Sequence, residues 1–271
     1  MPEITSPQNP HIKEVVRLRE RRQRDRTGMM LVEGSYELTL ALESGIQPRE
    51  IYCCQELAMG HPKPRLKVDP IFVSRAVFEK ISYRDRPDGW LAVVPIPHAR
   101  IESIDPSHPP LLVLAESVEK PGNLGAMLRT ADAAGVDALL VCDPRTDLYN
   151  PNVVRASRGT LFSVRTAVTK NEEAFSWLKT HGILVLAATP HTAVSYTDVD
   201  LCQPVCLAVG TEDDGLTDYW MERADLRVGI PMVGKVNSLN VSTSTAILLY
   251  EAVRQRRDCE KSGRNSIMLY W

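Results

Sequence analysis

The sequence lacks several features that define common classes of protein. No apolar run in its 271 residues approaches the roughly 20 residues that a membrane-spanning helix requires, so we expect no membrane association. The first residues, MPEITSPQNPHIKEVV, contain no apolar core followed by a small-residue cleavage site, and we expect no secretory signal. A composition of 44% hydrophobic and 24% charged residues is typical of globular proteins, and we predict a cytoplasmic one.

Familiar nucleotide-binding and metal-binding motifs are also missing. A P-loop needs GxxxxGK[ST], whereas the segment GNLGAMLRT has no lysine after its glycines. No GxGxxG, HExxH or GxSxG occurs in the chain. Among the six cysteines, Cys202 and Cys206 have CxxxC spacing, but no second Cys or His pair completes a zinc site. We therefore expect no metal, and we interpret the cysteines as structural thiols.

Positive charge is concentrated near the N-terminus. Residues 1–100 carry 16 Lys/Arg against 13 Asp/Glu, whereas residues 101–271 carry 16 against 21. Between positions 13 and 26 there are seven basic residues and three acids. This density suits contact with RNA phosphates, and a solvated helix with internal ion pairs explains it equally well. The basic residues are Lys13, Arg17, Arg19, Arg21, Arg22, Arg24 and Arg26.

The hydrophobic pattern of the first hundred residues predicts alternating helices and strands. We expect helices over residues 12–26, 34–45 and 74–81, the last with Ser74 as its N-cap. Strands are predicted at 29–33, 50–53, 71–73 and 90–94. Five prolines between positions 93 and 110 disfavour regular helix, so this segment is predicted to be an extended linker.

The second half has the same alternation with stronger apolar runs. Strands are predicted at 111–117 and 138–142 and in the runs SVRTAV, ILVLAAT and VCLAVG. Helices are predicted at 125–134, 151–157, 172–181 and 240–257. Such alternation predicts a parallel α/β sheet covered on both faces. The resulting division is a small α/β domain at 1–97, a linker at 98–109, a second domain at 110–257 and a tail at 258–271.

Three polar segments of the second half fall where strands should end, which is where open α/β sheets bind ligands. They span residues 116–135, 209–216 and 230–256. Each has an ordinary structural explanation when taken alone. Pro121-Gly122-Asn123 would be a tight turn, and Arg129 would pair with a structural carboxylate. Residues 212–215 would be a surface loop, and Asn240 would be a helix N-cap.

Together the three segments resemble the signature motifs of the SpoU-type RNA ribose methyltransferases of the SPOUT superfamily. Asn123, Gly125 and Arg129 match N-x-G-x-x-x-R, and residues 230–242 match I-P-M-x-G-x-x-x-S-L-N-V-[AS]. The second motif, G-x-E-x-x-G-[LM], is matched by Gly210, Glu212, Gly215 and Leu216, with Thr211 where the family has Asn or Pro. The stretch NPNVVRASRGTLFSV is also in register with the family. The first hundred residues resemble the ribosomal-protein-like RNA-binding domain of these enzymes, including SPxNPxIK and the LVEG turn.

This resemblance implies a fold, a cofactor and an assembly. The second domain would be a parallel α/β sheet with a deep trefoil knot, preceded by the small α/β RNA-binding domain. S-adenosylmethionine would bind in the knotted loops, and the family pairs its knotted domains as homodimers in which a partner chain can help complete the site. The residues expected to hold the cofactor are Thr189, Gly210, Ile230 and Leu239.

The implied reaction is methyl transfer to a ribose 2′-oxygen of RNA. A guanidinium is too basic to remove a proton readily, so Arg129 is expected to stabilise developing charge, with Glu212 orienting it. Asn123, Ser238 and Asn240 would hold the ribose and the loops. RNA phosphates would bind the following residues: Lys13, Arg17, Arg21, Arg22, Arg24 and Lys120.

The resemblance leaves the RNA substrate open. Ribosomal RNA of the 23S type is favoured over transfer RNA, because the family's rRNA enzymes commonly carry such an N-terminal domain. A tRNA 2′-O-methyltransferase and a non-catalytic RNA-binding or ribosome-assembly factor are the alternatives. The intact motif residues argue against the non-catalytic alternative, and an enzyme that methylates a base nitrogen fits these motifs less well.

Overall fold

The structure is a computed structural model that describes residues 3–97, 100–105 and 108–262. The helices are α1 (Pro10–Arg17), α2 (Arg21–Thr27), α3 (Ser35–Glu43), α4 (Gln55–Ala58), α5 (Arg75–Ile81), α6 (Pro121–Ala134), α7 (Pro151–Ser157), α8 (Asn171–Thr180), α9 (Asp218–Arg223) and α10 (Val241–Lys261). The strands are β1 (Met29–Glu33), β2 (Glu50–Cys53), β3 (Ile71–Phe72), β4 (Trp90–Pro95), β5 (Leu111–Glu116), β6 (Ala138–Cys142), β7 (Thr166–Thr169), β8 (Leu184–Ala188), β9 (Val205–Val209) and β10 (Leu226–Val228). No helix in these ranges is long and apolar enough to cross a membrane.

The chain forms two compact units, and their limits differ in part from the predicted domains. The first unit comprises the described residues up to 97 together with Asp147–Ser163. The second comprises the remaining described residues, from 100 to 146 and from 164 to 262. The segment 147–163, which contains α7, was predicted within the second domain, whereas it packs with the first unit and contacts β1.

The first unit is built on a four-stranded sheet in the order β1-β4-β2-β3. Strand β4 is antiparallel to both β1 and β2, and β2 is parallel to β3. Strands β1 and β4 are buried along almost their whole length, because helices pack against the sheet. Helix α1 contacts α5, and α3 contacts β1 and β4.

The predicted helix over residues 12–26 is two helices, α1 and α2, separated by a turn at residues 18–20. Helix α1 begins after Asn9, whose Oδ1 accepts from the His11 N–H at 2.9 Å, and ends at Arg17. The turn leaves carbonyl groups without helical partners. The buried Arg24 guanidinium takes up two of them, donating to Leu18 O at 2.9 Å and to Arg19 O at 2.7 Å. The break therefore depends on a contact that local periodicity does not predict.

Arg24 was predicted to bind RNA, and this prediction is wrong. The side chain is 2% exposed, and its guanidinium is paired with the carboxylate of Asp147, with an Nε–Oδ2 distance of 3.0 Å. Both residues belong to the first unit. A buried, fully paired guanidinium cannot reach a phosphate, so Arg24 serves the fold.

Replacing Asp147 with alanine is expected to destabilise the protein by about 3–5 kcal/mol, because it leaves the Arg24 charge buried and unpaired. Urea denaturation of the variant measures this loss. Arg75→Ala is the matched control, since it breaks exposed ion pairs with Glu56 and Glu79 and should change stability far less. Equal losses in the two variants would contradict a structural role for the buried pair.

The second unit is built on a six-stranded sheet in the order β10-β8-β9-β5-β6-β7. Every strand pair in this sheet is parallel, which confirms the predicted α/β class. The central strands β5 and β9 are wholly buried, as expected when helices cover both faces of a parallel sheet. Helix α10 contacts α6, and α8 contacts β6 and β8.

Several predicted boundaries in the second unit are wrong in ways that affect the site. Pro121-Gly122-Asn123 is the first turn of α6 instead of a separate tight turn. Proline fits there because the first helical N–H needs no intrahelical partner. The predicted linker contains a 3-10 turn at Ile101–Ser103, and Ile101 and Ile104 are buried in the core of this unit.

The prediction that all cysteines are thiols is wrong for two of them. Helix α10 continues to Lys261, beyond its predicted end at 257. The added turn carries Cys259 to Cys202, and the two form a disulfide with a Cα–Cα distance of 6.7 Å. The remaining four cysteines are buried and free. No group of three or more His, Cys, Asp or Glu residues able to hold a metal occurs among the described residues.

Candidate active site

The candidate site lies at the carboxyl ends of the parallel strands in the second unit. Parallel strands all end at the same edge of a sheet, so the segments that follow them are brought together. Thr189 follows β8, Gly210 follows β9 and the segment from Gly229 to Asn240 follows β10. The segment after β5 leads directly into α6.

The segments after β8, β9 and β10 line a cavity of about 320 Å³. All four residues that were expected to hold the cofactor lie in its wall: Thr189, Gly210, Ile230 and Leu239. Ser238 and Glu212 from the predicted catalytic set also line it. Residues from the loop after β8 and from the second and third motifs thus meet around one space.

Gly210 occupies a position that admits no side chain. A Cβ placed on it would lie 2.0 Å from the Gly215 carbonyl oxygen. The chain turns back tightly here, because Thr211 and Gly215 exchange backbone hydrogen bonds of 2.9 and 3.2 Å. Gly215 has φ +72°, a conformation that favours glycine. The two glycines of the second motif therefore form a narrow turn that carries Glu212, Asp213 and Asp214 against the cavity.

Glu212 joins the three sequence motifs through its carboxylate. Its Oε1 accepts from Asn123 Nδ2 at 2.6 Å and also from Asn240 Nδ2, while its Oε2 accepts from Lys120 Nζ. Asn240 Nδ2 also donates to Asn123 Oδ1 at 3.2 Å. We call Lys120, Asn123, Glu212 and Asn240 the carboxylate cluster.

Asn240 is a helix cap and a member of the cluster at once. Its Oδ1 accepts from the Ser242 N–H at 3.0 Å, which caps α10 as the structural interpretation predicted. Its Nδ2 faces the other way and donates to Glu212 and Asn123. The start of α10 is thereby attached to the start of α6.

Charge pairing keeps the cluster carboxylate ionised. The Lys120 ammonium, followed by the Asn123 amide, holds the pKa of Glu212 below its ordinary value. The same hydrogen bond with Glu212 raises the pKa of Lys120. At neutral pH both groups are charged, and the carboxylate acts only as an acceptor.

Arg129 does not contact Glu212, contrary to the expectation that Glu212 orients it. The hydrogen-bond partners of the Glu212 side chain are Lys120, Asn123 and Asn240, and Arg129 is exposed on α6. Arg129 does not line either of the two cavities found at this edge in the described residues. Six helical positions separate it from Asn123, which places it about 9 Å farther along α6 and on another face.

The sequence analysis missed several residues of the cavity wall. His191, Met221, Met232, Asp213 and Asp214 all line it. The two aspartates stand inside the second motif, where only the flanking glycines and Glu212 carry the family pattern. Their position in a turn between two required glycines was the signal that could have identified them.

The ionisable groups around the cavity are suited to a positively charged ligand. His191, Glu212, Asp213 and Asp214 are in its wall, which contains no Lys or Arg among the described residues. A volume of about 320 Å³ lies at the lower end of the size of small-molecule sites. Apolar Val228, Ile230 and Leu239 line the same wall, so the cavity can receive a ligand with both apolar and cationic parts. The residues present therefore fit S-adenosylmethionine, which has an adenine ring and a sulfonium.

Most of the predicted phosphate-binding residues lie on the first unit. Lys13, Arg17, Arg21 and Arg22 are exposed on α1 and α2. Arg21 also forms a 3.6 Å ion pair with Asp25, so internal pairing and exposed positive charge coexist on these helices. Lys120, in the second unit, is bound to Glu212.

Fold and site define a two-unit protein in which one unit has a parallel α/β sheet with a binding cavity at its carboxyl edge, and the other is built on a four-stranded sheet. Residues 110–250 match the model of the SpoU rRNA Methylase family, and residues 9–92 match that of the MRM3-like substrate binding domain. The protein belongs to the SpoU rRNA methylase family, which confirms the resemblance seen in the motifs.

Known proteins of this family resemble the chain over almost its full length. It is 31% identical to the 23S rRNA (uridine(2479)-2′-O)-methyltransferase of Streptomyces viridochromogenes, over 88% of this chain and 87% of that protein. A crystal structure of an RNA 2′-O ribose methyltransferase is 43% identical, with a TM-score of 0.84, and covers 94% of this chain and 100% of that one. The SpoU methyltransferase AviRb of Streptomyces viridochromogenes, in complex with AdoMet, is 28% identical, with a TM-score of 0.82, and covers 92% of this chain and 99% of that one.

Proposed function

We propose that the protein methylates a ribose 2′-hydroxyl of a structured RNA with S-adenosylmethionine as methyl donor. The observation that carries this proposal is the meeting of Thr189, Gly210, Ile230 and Leu239 around one cavity beside the carboxylate cluster. Membership of the SpoU rRNA methylase family and the AdoMet complex of a relative with the same fold support it. The knotted passage of the chain is part of the same proposal.

The reaction is an in-line displacement. The bound cofactor supplies an electrophilic methyl group on a positively charged sulfur. The 2′-oxygen would accept this methyl group, and the hydroxyl proton would pass to an adjacent RNA phosphate. Arg129 binds that phosphate and stabilises the charge that develops on the oxygen. Asn123, Ser238 and Asn240 hold the ribose and the loops, and Glu212 keeps the two asparagines in place.

Asp213 and Asp214 line the larger cavity, whose described lining residues include no Lys or Arg, so their charge should favour the cationic cofactor over its neutral product. The double variant Asp213→Asn/Asp214→Asn is expected to weaken S-adenosylmethionine binding about fivefold at low salt. Binding of S-adenosylhomocysteine, which has no sulfonium charge, should change by less than about twofold. Calorimetric titration measures both affinities.

The matched control for this charge test is Glu222→Gln. Glu222 is an exposed acid of the same unit, with a side chain 70% exposed, and it is not in the cavity wall. Glu222→Gln should leave the affinities for S-adenosylmethionine and S-adenosylhomocysteine unchanged. Equal weakening of cofactor and product in the aspartate variant would show that the two acids act through shape instead of charge.

The proposed substrate is ribosomal RNA of the 23S type. The match of residues 9–92 to a substrate binding domain and the exposed basic residues on α1 and α2 support an extended RNA contact. The residues proposed to bind phosphates are Lys13, Arg17, Arg21 and Arg22. Mapping 2′-O-methyl sites in total RNA from cells with and without the protein tests this proposal. Loss of a single methylated nucleotide from rRNA is expected, and loss from a tRNA would establish the tRNA alternative.

A non-catalytic assembly factor would have no need of the cofactor, so titration with S-adenosylmethionine separates it from the enzyme.

We also propose a cytoplasmic homodimer joined through the second unit. Apolar side chains exposed on this unit, Val233, Val236 and Tyr250, support such an interface. Sedimentation analysis tests the dimer, and a monomer at micromolar concentration would contradict it.

A further inference from the structure

Lys120 was expected to meet RNA, yet its ammonium is directed to a carboxylate of the site. It is the residue immediately before α6, and its Nζ donates to Glu212 Oε2. The side chain of Lys120 is 68% exposed, whereas that of Glu212 is only 21% exposed. Lys120 therefore lies between the Glu212 carboxylate and solvent.

The two oxygens of Glu212 have separate partners. Oε1 accepts from both asparagine amides, and Oε2 accepts from Lys120. Without a donor on Oε2, the carboxylate could turn out of the orientation in which one oxygen meets both amides. Lys120 therefore fixes the orientation on which the link between Asn123 and Asn240 depends.

The electrostatic surroundings give Lys120 a second effect. It is the one basic residue among the described residues that line the smaller cavity beside the cluster, where the acids are Glu119, Glu212, Asp213 and Asp214. Arg145 is paired with Glu119 and so does not serve Glu212. Removing the Lys120 charge would leave Glu212 next to two like charges in the same turn.

We propose that Lys120 is a positioning residue of the active site, which holds Glu212 so that its carboxylate ties the start of α6 to the start of α10. This role rests on the proposed methyl transfer, because the segments so joined carry Asn123, Ser238 and Asn240. Lys120 touches neither the reacting atoms nor the cofactor in this role. It acts through Glu212 alone.

Kinetics of four forms test the proposal: Lys120→Met, Lys120→Arg, Glu212→Gln and the double variant Lys120→Met/Glu212→Gln. Lys120→Met is expected to lower kcat about tenfold with the KM for RNA within about twofold, and Lys120→Arg should restore most of the loss. In the Glu212→Gln background, Lys120→Met should have almost no further effect, because residues that act through one contact are not additive.

The opposite pattern would overturn the proposal. If Lys120 instead bound an RNA phosphate, Lys120→Met would raise the KM for RNA and leave kcat intact. It would also reduce the slope of RNA affinity against salt concentration, on logarithmic axes, by about one. Its effect would add fully to that of Glu212→Gln. Lys179→Met is the control variant, since it removes an exposed lysine from an ion pair with Asp225 outside both cavities. It should retain wild-type kinetics, and thermal melting should show that every variant is folded.

An NMR titration makes the test independent of the reaction. The side-chain amides of Asn123 and Asn240 donate to Glu212, so their resonances report its protonation. Since Lys120 is the largest cause of the lowered pKa of Glu212, the amide titration should move to higher pH in Lys120→Met and return in Lys120→Arg. If wild type and all variants failed to methylate RNA but the amide titration still moved in Lys120→Met, the proposed function would be rejected and the contact between Lys120 and Glu212 would stand. An unchanged titration would reject the positioning role even in an active enzyme.

Discussion

Replacing Arg129 with alanine is expected to lower methyl transfer at least about 100-fold while changing the affinity for S-adenosylmethionine less than about twofold. Arg129 is exposed and stands outside the cavity wall, so its loss removes no contact that the cavity residues make. Its guanidinium would act on the RNA, where it stabilises charge that exists only in the transition state. Single-turnover transfer and calorimetric titration measure the two effects separately.

The controls for Arg129 compare charge with geometry. Arg129→Lys keeps the charge but loses the planar fork of donors, so an intermediate rate is expected. Arg223→Ala removes an exposed arginine of α9 that does not line either cavity, and it should transfer methyl groups at the wild-type rate. Wild-type turnover by Arg129→Ala would remove this residue from the mechanism. A large loss of cofactor affinity would instead mean that Arg129 supports the cavity.

Gly210→Ala is expected to weaken cofactor binding about 100-fold or more. The added Cβ would lie 2.0 Å from the Gly215 carbonyl oxygen, and the next contacts are also backbone atoms, which cannot move aside as a flexible side chain could. The turn between the two glycines must therefore open, and it carries Glu212 and two other acids of the cavity wall. Calorimetry with S-adenosylmethionine measures the loss.

Gly234→Ala is the matched control, because a Cβ at that position meets nothing within 4 Å. It lies in the segment between β10 and α10 and is not in the cavity wall. Cofactor affinity should remain within about twofold of wild type. Thermal melting of Gly210→Ala should show a folded protein, since the clash is confined to one turn. Tight binding of cofactor by folded Gly210→Ala would show that this turn does not shape the cavity.

The class of the fold could be predicted because it depends on local pattern. Runs such as Leu111–Glu116 and Val205–Val209 are apolar throughout, which indicates strands buried on both faces. Their alternation with helices predicts parallel strands, and parallel strands place their following loops at one edge. The grouping of Thr189, Gly210, Ile230 and Leu239 as cofactor residues came from the resemblance to the SpoU family, and it agrees with loops that meet at one edge of the sheet.

The predictions that failed concern single partners of charged or reactive side chains. Seven basic residues between positions 13 and 26 looked equivalent in sequence, yet Arg24 is buried on Asp147 more than a hundred positions away. Glu212 was assigned to Arg129 and is bound to Lys120 and two asparagines. Cys202 pairs with Cys259 because α10 is one turn longer than its periodicity indicated.

By itself, the sequence determined the parallel α/β class, the family and the motif residues that meet at the cavity, because strand periodicity and motif spacing are local properties of the chain. Only the tertiary structure decided which of the charged side chains are buried, which carboxylate each amine or guanidinium meets and where α1 ends. Those outcomes depend on distances of a few ångströms between segments far apart in sequence. At that range, burial and the available partners determine the free energy of a charged group more than its neighbours along the chain do.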